Sequence, residues 1–163
     1  MACCYLLSEL TNFLFCSNKK DTRFYYLSLK RESPLSVWFI HGLWPQYSKT
    51  SYPQFCKIKE FDIEKIQPII NDLKKFWYLT LNEKLDKKQQ TDILKIEWEK
   101  HGSCMFNDID GVDDVDEFDY FKTALTLYVE VMQSNIINKF KLEKNGLQVN
   151  IPIDLNFKPI VPN

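Results

Sequence analysis

The chain has 163 residues, with 21 basic against 22 acidic side chains, and 45% hydrophobic, 15% aromatic and 26% charged residues. That balance is globular and excludes a collagen, a coiled coil or a disordered chain. Near-neutral charge excludes a generally basic nucleic-acid coat, so any polyanion contact must be local.

The length predicts one domain over 1–163 with room for a core, and no apolar run is long enough to cross a bilayer. The start, Met1 to Phe15, is mildly apolar. It makes a poor secretory signal, because no Lys or Arg precedes Lys19 and Glu9 interrupts the apolar run. Five cysteines, Cys3, Cys4, Cys16, Cys56 and Cys104, form no C-x-x-C pair, and with two histidines a zinc cage is poorly supplied. Ser36 to His41 reads as a strand with Val37, Phe39 and His41 facing one way and Trp38 and Ile40 the other. Gly42 and Pro45 are expected to stop it, which places His41 at a strand end beside a turn.

Ile63, Ile66, Ile70, Leu73 and Trp77 recur at helical spacing, and Pro68 among them predicts a kink or two shorter helices. Lys84 to Gln90 is a polar helix face or loop. Ile93 to Gly102 reads as a short helix, with Gly102 at a C′ position. Asn107 to Asp119 carries seven Asp or Glu. It lacks the EF-hand spacing and reads as a solvated acidic loop entering a helix N-terminus. Phe118, Phe121, Leu125, Tyr128 and Met132 then form an apolar helical stripe. Leu147 to Ile153 reads as a strand, and Pro152, Pro159 and Pro162 predict an irregular tail.

Both histidines have unusual neighbours. On a helix, Glu97, Lys100, His101 and Cys104 fall at i, i+3, i+4 and i+7 and share one face, while Trp98 points elsewhere and anchors the helix in the core. Two imidazoles near neutral pKa can serve as general base and general acid in one reaction. A Lys and a Glu beside them would stabilise developing charge, a set suited to phosphoryl transfer. The same stripe also reads as a surface ion-pair row, and the residue pattern alone leaves both readings open.

The two segments Trp38-Phe39-Ile40-His41-Gly42-Leu43-Trp44-Pro45 and Ile96-Glu97-Trp98-Glu99-Lys100-His101-Gly102-Ser103-Cys104 resemble the two active-site signatures of the ribonuclease T2 family. These are the acid, transferase-type ribonucleases that include plant S-ribonucleases. The family's signatures read roughly F-T-I-H-G-L-W-P and H-E-W-x-K-H-G-T-C, and the resemblance covers about Ser36 to Phe140. It implies an α+β fold, a small, mainly antiparallel sheet flanked by helices. It also implies cleavage of single-stranded RNA without metal or other cofactor. The 2′-hydroxyl attacks the adjacent phosphorus to give a 2′,3′-cyclic phosphate, so DNA, lacking that hydroxyl, is not cut.

By position in the motifs, His101 matches the general base, His41 the general acid, and Glu97 and Lys100 the pair that stabilises the pentacoordinate phosphorus. Trp44 and Tyr52 match positions that stack on a base, and Gln46 one that touches a base edge, which implies little base specificity. Cys56 and Cys104 match a disulfide that would close a loop of about 48 residues and stabilise by about 4 kcal/mol in the chain-entropy model. The family's compartment would be extracellular or an acidic vesicle.

Four departures accompany the resemblance. Ile96 replaces the family's third, phosphate-holding histidine, from which weakened catalysis is expected, and Ile93 stands where the family often has a second base-contacting aromatic. The N-terminal strand with its Trp-Pro pattern is not recognisable in Leu6 to Lys20. The chain stops at Asn163, where the family continues, so a sheet short of the C-terminal strands is expected. A catalytically weakened relative that binds RNA or a protein is the competing expectation.

Overall fold

The structure, a computed structural model, describes residues 22–56, 60–78, 85–105 and 115–162. Phe24–Lys30 forms strand β1, a segment the sequence reading passed over. Its period-two pattern buries Tyr25, Leu27 and Leu29 on one face and turns Tyr26, Ser28 and Lys30 to the other. β1 is the central strand of a three-stranded sheet, flanked by β2 (Phe39–Gln46) and β3 (Gln148–Ile153), both antiparallel to it. The expected α+β architecture is therefore present. β3 starts one residue later than expected, at Gln148.

β2 corrects the expected strand. It starts at Phe39 rather than Ser36 and runs through Gly42 and Pro45 to Gln46. Pro45 is tolerated because β2 is an edge strand, where a missing N–H costs no ladder bond. Gly42 does not end the strand either. Ser28 pairs with Gly42 and Leu29 with Ile40, so His41 is the extra residue of a β-bulge. The bulge resets the alternation. Ile40 and Leu43, three apart, both reach the core, and His41 and Trp44, also three apart, both face away from it.

The helices cover the core face of the sheet. The division expected around Pro68 is seen as a 3₁₀ helix, Ile63–Ile69, followed by helix α1, Ile70–Phe76. Helix α2 is longer than expected, Lys87–Lys100. Asp86 starts it with a capping box to Gln89, which extends the helix back over residues whose polarity had hidden it. Helix α3, Glu117–Ser134, has a second capping box from Asp116 and buries Tyr120, Phe121, Ala124, Leu125, Leu127, Tyr128 and Val131. Its tyrosines lock it to β2 and to the residue before it. Tyr120 donates to the Leu43 carbonyl at 3.1 Å and Tyr128 to the Trp38 carbonyl at 2.9 Å, both buried. Trp98 anchors α2 in the same core, as expected. The expectations for Leu6 to Lys20, for Cys3, Cys4 and Cys16, and for most of the acidic run (106–114) lie outside the described residues. Among the described residues no helix is long and apolar enough to cross a membrane.

Candidate active site

The bulge projects His41 from the outer face of the sheet, where its Nδ1 lies 3.5 Å from the Ser28 hydroxyl. Trp44 packs its ring edge-on to His41 with centroids 5.1 Å apart. Gln46, two residues on and 4% exposed, donates from Nε2 to the Trp44 carbonyl. Gly42 explains how these groups fit. A Cβ there would lie 2.1 Å from Trp44 Nε1 and 2.7 Å from Glu97 Oε2, so only glycine leaves room for the indole and the carboxylate to meet above the strand. They do meet, Trp44 Nε1 donating to Glu97 Oε2 at 3.4 Å.

The last turn of α2 supplies the opposite wall. Glu97, Lys100 and His101 share its inner face, and His101 is the C-cap, its backbone N–H bonded to the Glu97 carbonyl. Cys104 does not continue that face as a helical residue, because the helix ends at Lys100 and a 3₁₀ turn, Gly102–Cys104, takes over. Gly102 holds the expected C′ position, after the C-cap His101, and glycine is required there by packing rather than by a left-handed backbone. Its φ is not positive, and a Cβ would lie 2.4 Å from Trp98 and 2.9 Å from Tyr120. The glycine lets the site-bearing helix end press against the core aromatics.

The loop after β2 is tied to this helix end. Cys56 and Cys104 form a disulfide, with Cα atoms 5.0 Å apart. The Phe55 N–H donates to the Lys100 carbonyl and the Cys56 N–H to Ser103 Oγ, both at 3.1 Å. The tether carries Tyr52 to within 6.2 Å of the His101 ring, which also lies 5.4 Å from the Trp44 ring. The result is one cavity of about 280 Å³ lined by His41, Trp44, Gln46, Tyr52, Glu97, Lys100 and His101. All seven cavity residues were singled out from the sequence and its resemblance. Ile96 and Ile93 are not in the lining, and Ile96 is 56% exposed.

Burial dominates the electrostatics. It lowers His101 to about 3, with Lys100 and His41 adding repulsion. Burial also lowers His41 to about 4, with the cations of Lys30, Lys144 and Lys100 adding to it. Glu97 is pushed up to about 7 by burial, opposed by the Trp44 hydrogen bond and the Lys100 charge. Near neutrality the site thus holds two uncharged imidazoles and a half-ionised carboxyl group beside one ammonium. His101 Nδ1 is buried without a hydrogen-bond partner among the described residues. Such a pair of neutral bases beside an ammonium can take one proton, hold an anion and return a proton elsewhere.

Ser28, Gln148, Lys30 and Lys144 were missed by sequence reasoning. Gln148, 4% exposed, donates to the Ser28 hydroxyl at 3.2 Å and so backs the His41 contact from β3. The alternation Tyr25, Leu27, Leu29 was the signal for this strand.

Comparison with known proteins identifies the family and the fold. The profile of the Ribonuclease T2 family matches residues 4–148. Ribonuclease S-7 of Pyrus pyrifolia is 28% identical over 72% of this chain and 49% of its own length. Ribonuclease 1 of Arabidopsis thaliana is 31% identical over 69% of this chain and 46% of its own length. Ribonuclease DdI of Dictyostelium discoideum is 31% identical over 71% and 48%. The chain therefore spans about half the length of the curated relatives it matches. Among solved structures, an RNase-related protein from Calystegia sepium superposes with a TM-score of 0.63 at 21% identity, over 88% of this chain and 92% of its own. RNase NT in complex with 5′-AMP does so at 0.56 and 20%, over 88% and 93%. At these identities the superpositions speak for the fold.

Proposed function

We propose that this chain, which belongs to the ribonuclease T2 family, cleaves single-stranded RNA by attack of a ribose 2′-hydroxyl on the adjacent phosphorus. His101 takes the 2′-hydroxyl proton and O2′ forms its bond to phosphorus. Lys100 and Glu97 stabilise the pentacoordinate phosphorus, and His41 protonates O5′ as the P–O5′ bond breaks. The products are a 2′,3′-cyclic phosphate and a free 5′-hydroxyl. The observation that supports this most is the convergence of both imidazoles, with ring centroids 5.1 and 5.4 Å from that of one indole, in one cavity with Lys100 and Glu97. Each acid or base role is worth about 10²–10⁴ in rate.

The depressed imidazole pKa values suit these roles in acid. His101 stays an unprotonated base down to about pH 3. His41 is charged only below about 4 in the free protein, and a bound phosphodiester anion would raise it. A carboxyl with a pKa near 7 is neutral in acid, so Glu97 there faces the phosphate without repelling it. Trp44 and Tyr52 offer faces on which a base stacks whatever its identity, at about 1–3 kcal/mol per base, and Gln46 offers an amide to a base edge. The disulfide requires an oxidising compartment, consistent with a secreted or acidic vesicular site of action.

The test is digestion of poly(U) in EDTA over about pH 3 to 8, a range that spans the depressed values of both imidazoles and that of a free histidine, with analysis of the phosphate ends. Uridine 2′,3′-cyclic ends that vanish in His101→Ala are expected. Loss of cutting on chelation, or products that lack the cyclic phosphate, would refute the mechanism.

A further inference from the structure

Beyond His41 the sheet carries a second cationic patch that the chemistry above does not use. β1 turns Tyr26, Ser28 and Lys30 to the site face, and their β2 partners are Trp44, Gly42 and Phe39. Along the strands, Trp44 therefore lies on one flank of His41 and Lys30 on the other. Tyr26 and Lys30 are four residues apart, about 13 Å at the rise of a strand. On the β3 side, Lys30 pairs with Gln148, and Gln148 bridges back to Glu143. That bridge sets Lys144 beside Lys30. It stands in a tight turn where the N–H groups of Gly146, Leu147 and Gln148 all donate to the Glu143 carbonyl. Lys144 holds a left-handed φ of 49° there, a conformation that disfavours a lysine unless its surroundings impose it.

Among the described residues neither lysine is in an ion pair, and the Glu143 carboxylate beside Lys144 accepts from Asn150 Nδ2 at 3.3 Å. The ion pairs among the described residues join Lys65 to Glu117, Lys95 to Glu99 and Lys158 to Glu130. Lys30 instead rests its ammonium 4.9 Å from the centroid of the Tyr78 ring. Burial, and after it the charge of Lys144, depresses the pKa of Lys30; at His41 burial again comes first, and the charges of Lys30 and Lys144 add more than that of Lys100, although Lys100 lines the same cavity. Two like charges placed together beside a group that must become cationic oppose both folding and the reaction. An anion between them removes both penalties.

We propose that Lys30 and Lys144 form a second phosphate subsite, which takes the phosphodiester one nucleotide to the 3′ side of the scissile bond. The direction of the strand rests on the proposed function. His41 protonates the leaving O5′, so the departing nucleotide lies past His41, away from Trp44 and Tyr52, and its own 3′-phosphate reaches the lysine pair. The subsite makes a polymer a better ligand than a dinucleotide and relieves the charge that disfavours protonation of His41.

The direct test uses two uncleavable 2′-deoxy probes of equal charge, dUpdUp with a 3′-terminal phosphate and pdUpdU with a 5′-terminal one, titrated into the intact protein. We expect dUpdUp to bind about 5- to 10-fold tighter, as two weakly screened lysine contacts would give. The Lys30→Gln/Lys144→Gln double variant abolishes the preference. Lys122→Gln/Lys158→Gln, which removes two exposed lysines, one on α3 and one past the far end of β3, retains it and controls for net charge. Equal affinity for the two probes, a preference for pdUpdU, or a preference that survives in the double variant overturns the proposal. Because the probes report binding alone, a chain that fails to cut poly(U) yet prefers dUpdUp refutes the cleavage reading without touching the subsite. A chain that cuts RNA and binds both probes equally does the reverse.

Discussion

Gly42→Ala tests the architecture of the site without removing any group that does chemistry. The new Cβ would stand 2.1 Å from Trp44 Nε1 and 2.7 Å from Glu97 Oε2, against an ordinary contact distance of at least 3.4 Å. The indole nitrogen must therefore retreat by about 1.3 Å (3.4 less 2.1), and its 3.4 Å hydrogen bond to Glu97 is lost. Both atoms are the far ends of side chains facing the cavity, so the core does not have to move. One hydrogen bond is worth about 0.5–1.5 kcal/mol net. Replacing glycine by alanine in extended backbone returns about 0.4–1 kcal/mol through the unfolded state. Stability should stay within about 1 kcal/mol, a Tm change of about 2–4 °C for a chain of this size. Catalysis should suffer far more, because the Trp44 ring touches both imidazole rings and displacements near 1 Å cost about 10²-fold. The assay is kcat/KM on poly(U) beside a thermal melt of the same preparation. Activity within threefold of the parent would show that the indole does not order the site. A collapse of the fold would show that the contacts are not adjustable.

Further expectations concern pH, the disulfide and Ile96. With His101 near 3 and His41 near 4 in the free protein, kcat/KM should peak near pH 3–4 and fall about tenfold per unit above it; a maximum at or above pH 7 would contradict the assigned roles. Stability responds to the same groups. Between about pH 6.5 and 4.5 the unfolded chain binds up to two more protons at the histidines, while the folded chain binds one more at Glu97. Stability should then fall with acidification by about 1.4 kcal/mol per pH unit near pH 5, and the slope eases below about 4, where His41 and then His101 take up protons in the folded chain as well. Urea melts across this range check the sign, and stability that rises towards pH 4 would refute it. Cys56→Ser/Cys104→Ser opens a loop of 48 residues and should cost about 4 kcal/mol, or roughly 8–16 °C in Tm. A shift under about 3 °C would mean that the backbone bonds at Phe55 and Cys56 hold the loop alone. Ile96→His, at an exposed helix position next to Glu97, should raise kcat/KM by restoring the imidazole that the family carries there, and no gain or a fall would show that the site is wired differently.

Much of the site was legible before any fold was known, because its residues lie close together in two short segments. Helical period alone put Glu97, Lys100 and His101 on one face and turned Trp98 inward, and α3 declared itself by Phe121, Leu125 and Tyr128 in the same way. Local chemistry misled where a residue's reason was not local. Gly42 and Pro45 read as strand breakers, but the first makes room for Trp44 and Glu97 and the second sits harmlessly on an edge. Gly102 read correctly as the C′ residue of α2, but what demands glycine there is the ring of Tyr120 on another helix.

What the linear chain determined by itself was therefore the identity of the chemical groups and the helical face that presents three of them, since a 3.6-residue period needs only neighbours within a turn. Tertiary structure alone decided the rest. The register of β2 on β1 made His41 a bulge. Enclosure between sheet and helix drove both imidazoles down and the Glu97 carboxyl up. A turn more than 100 residues away brought Lys144 to the flank of His41. Pairing register, desolvation and long-range charge depend on which distant segments share a volume, and no window of sequence contains that information.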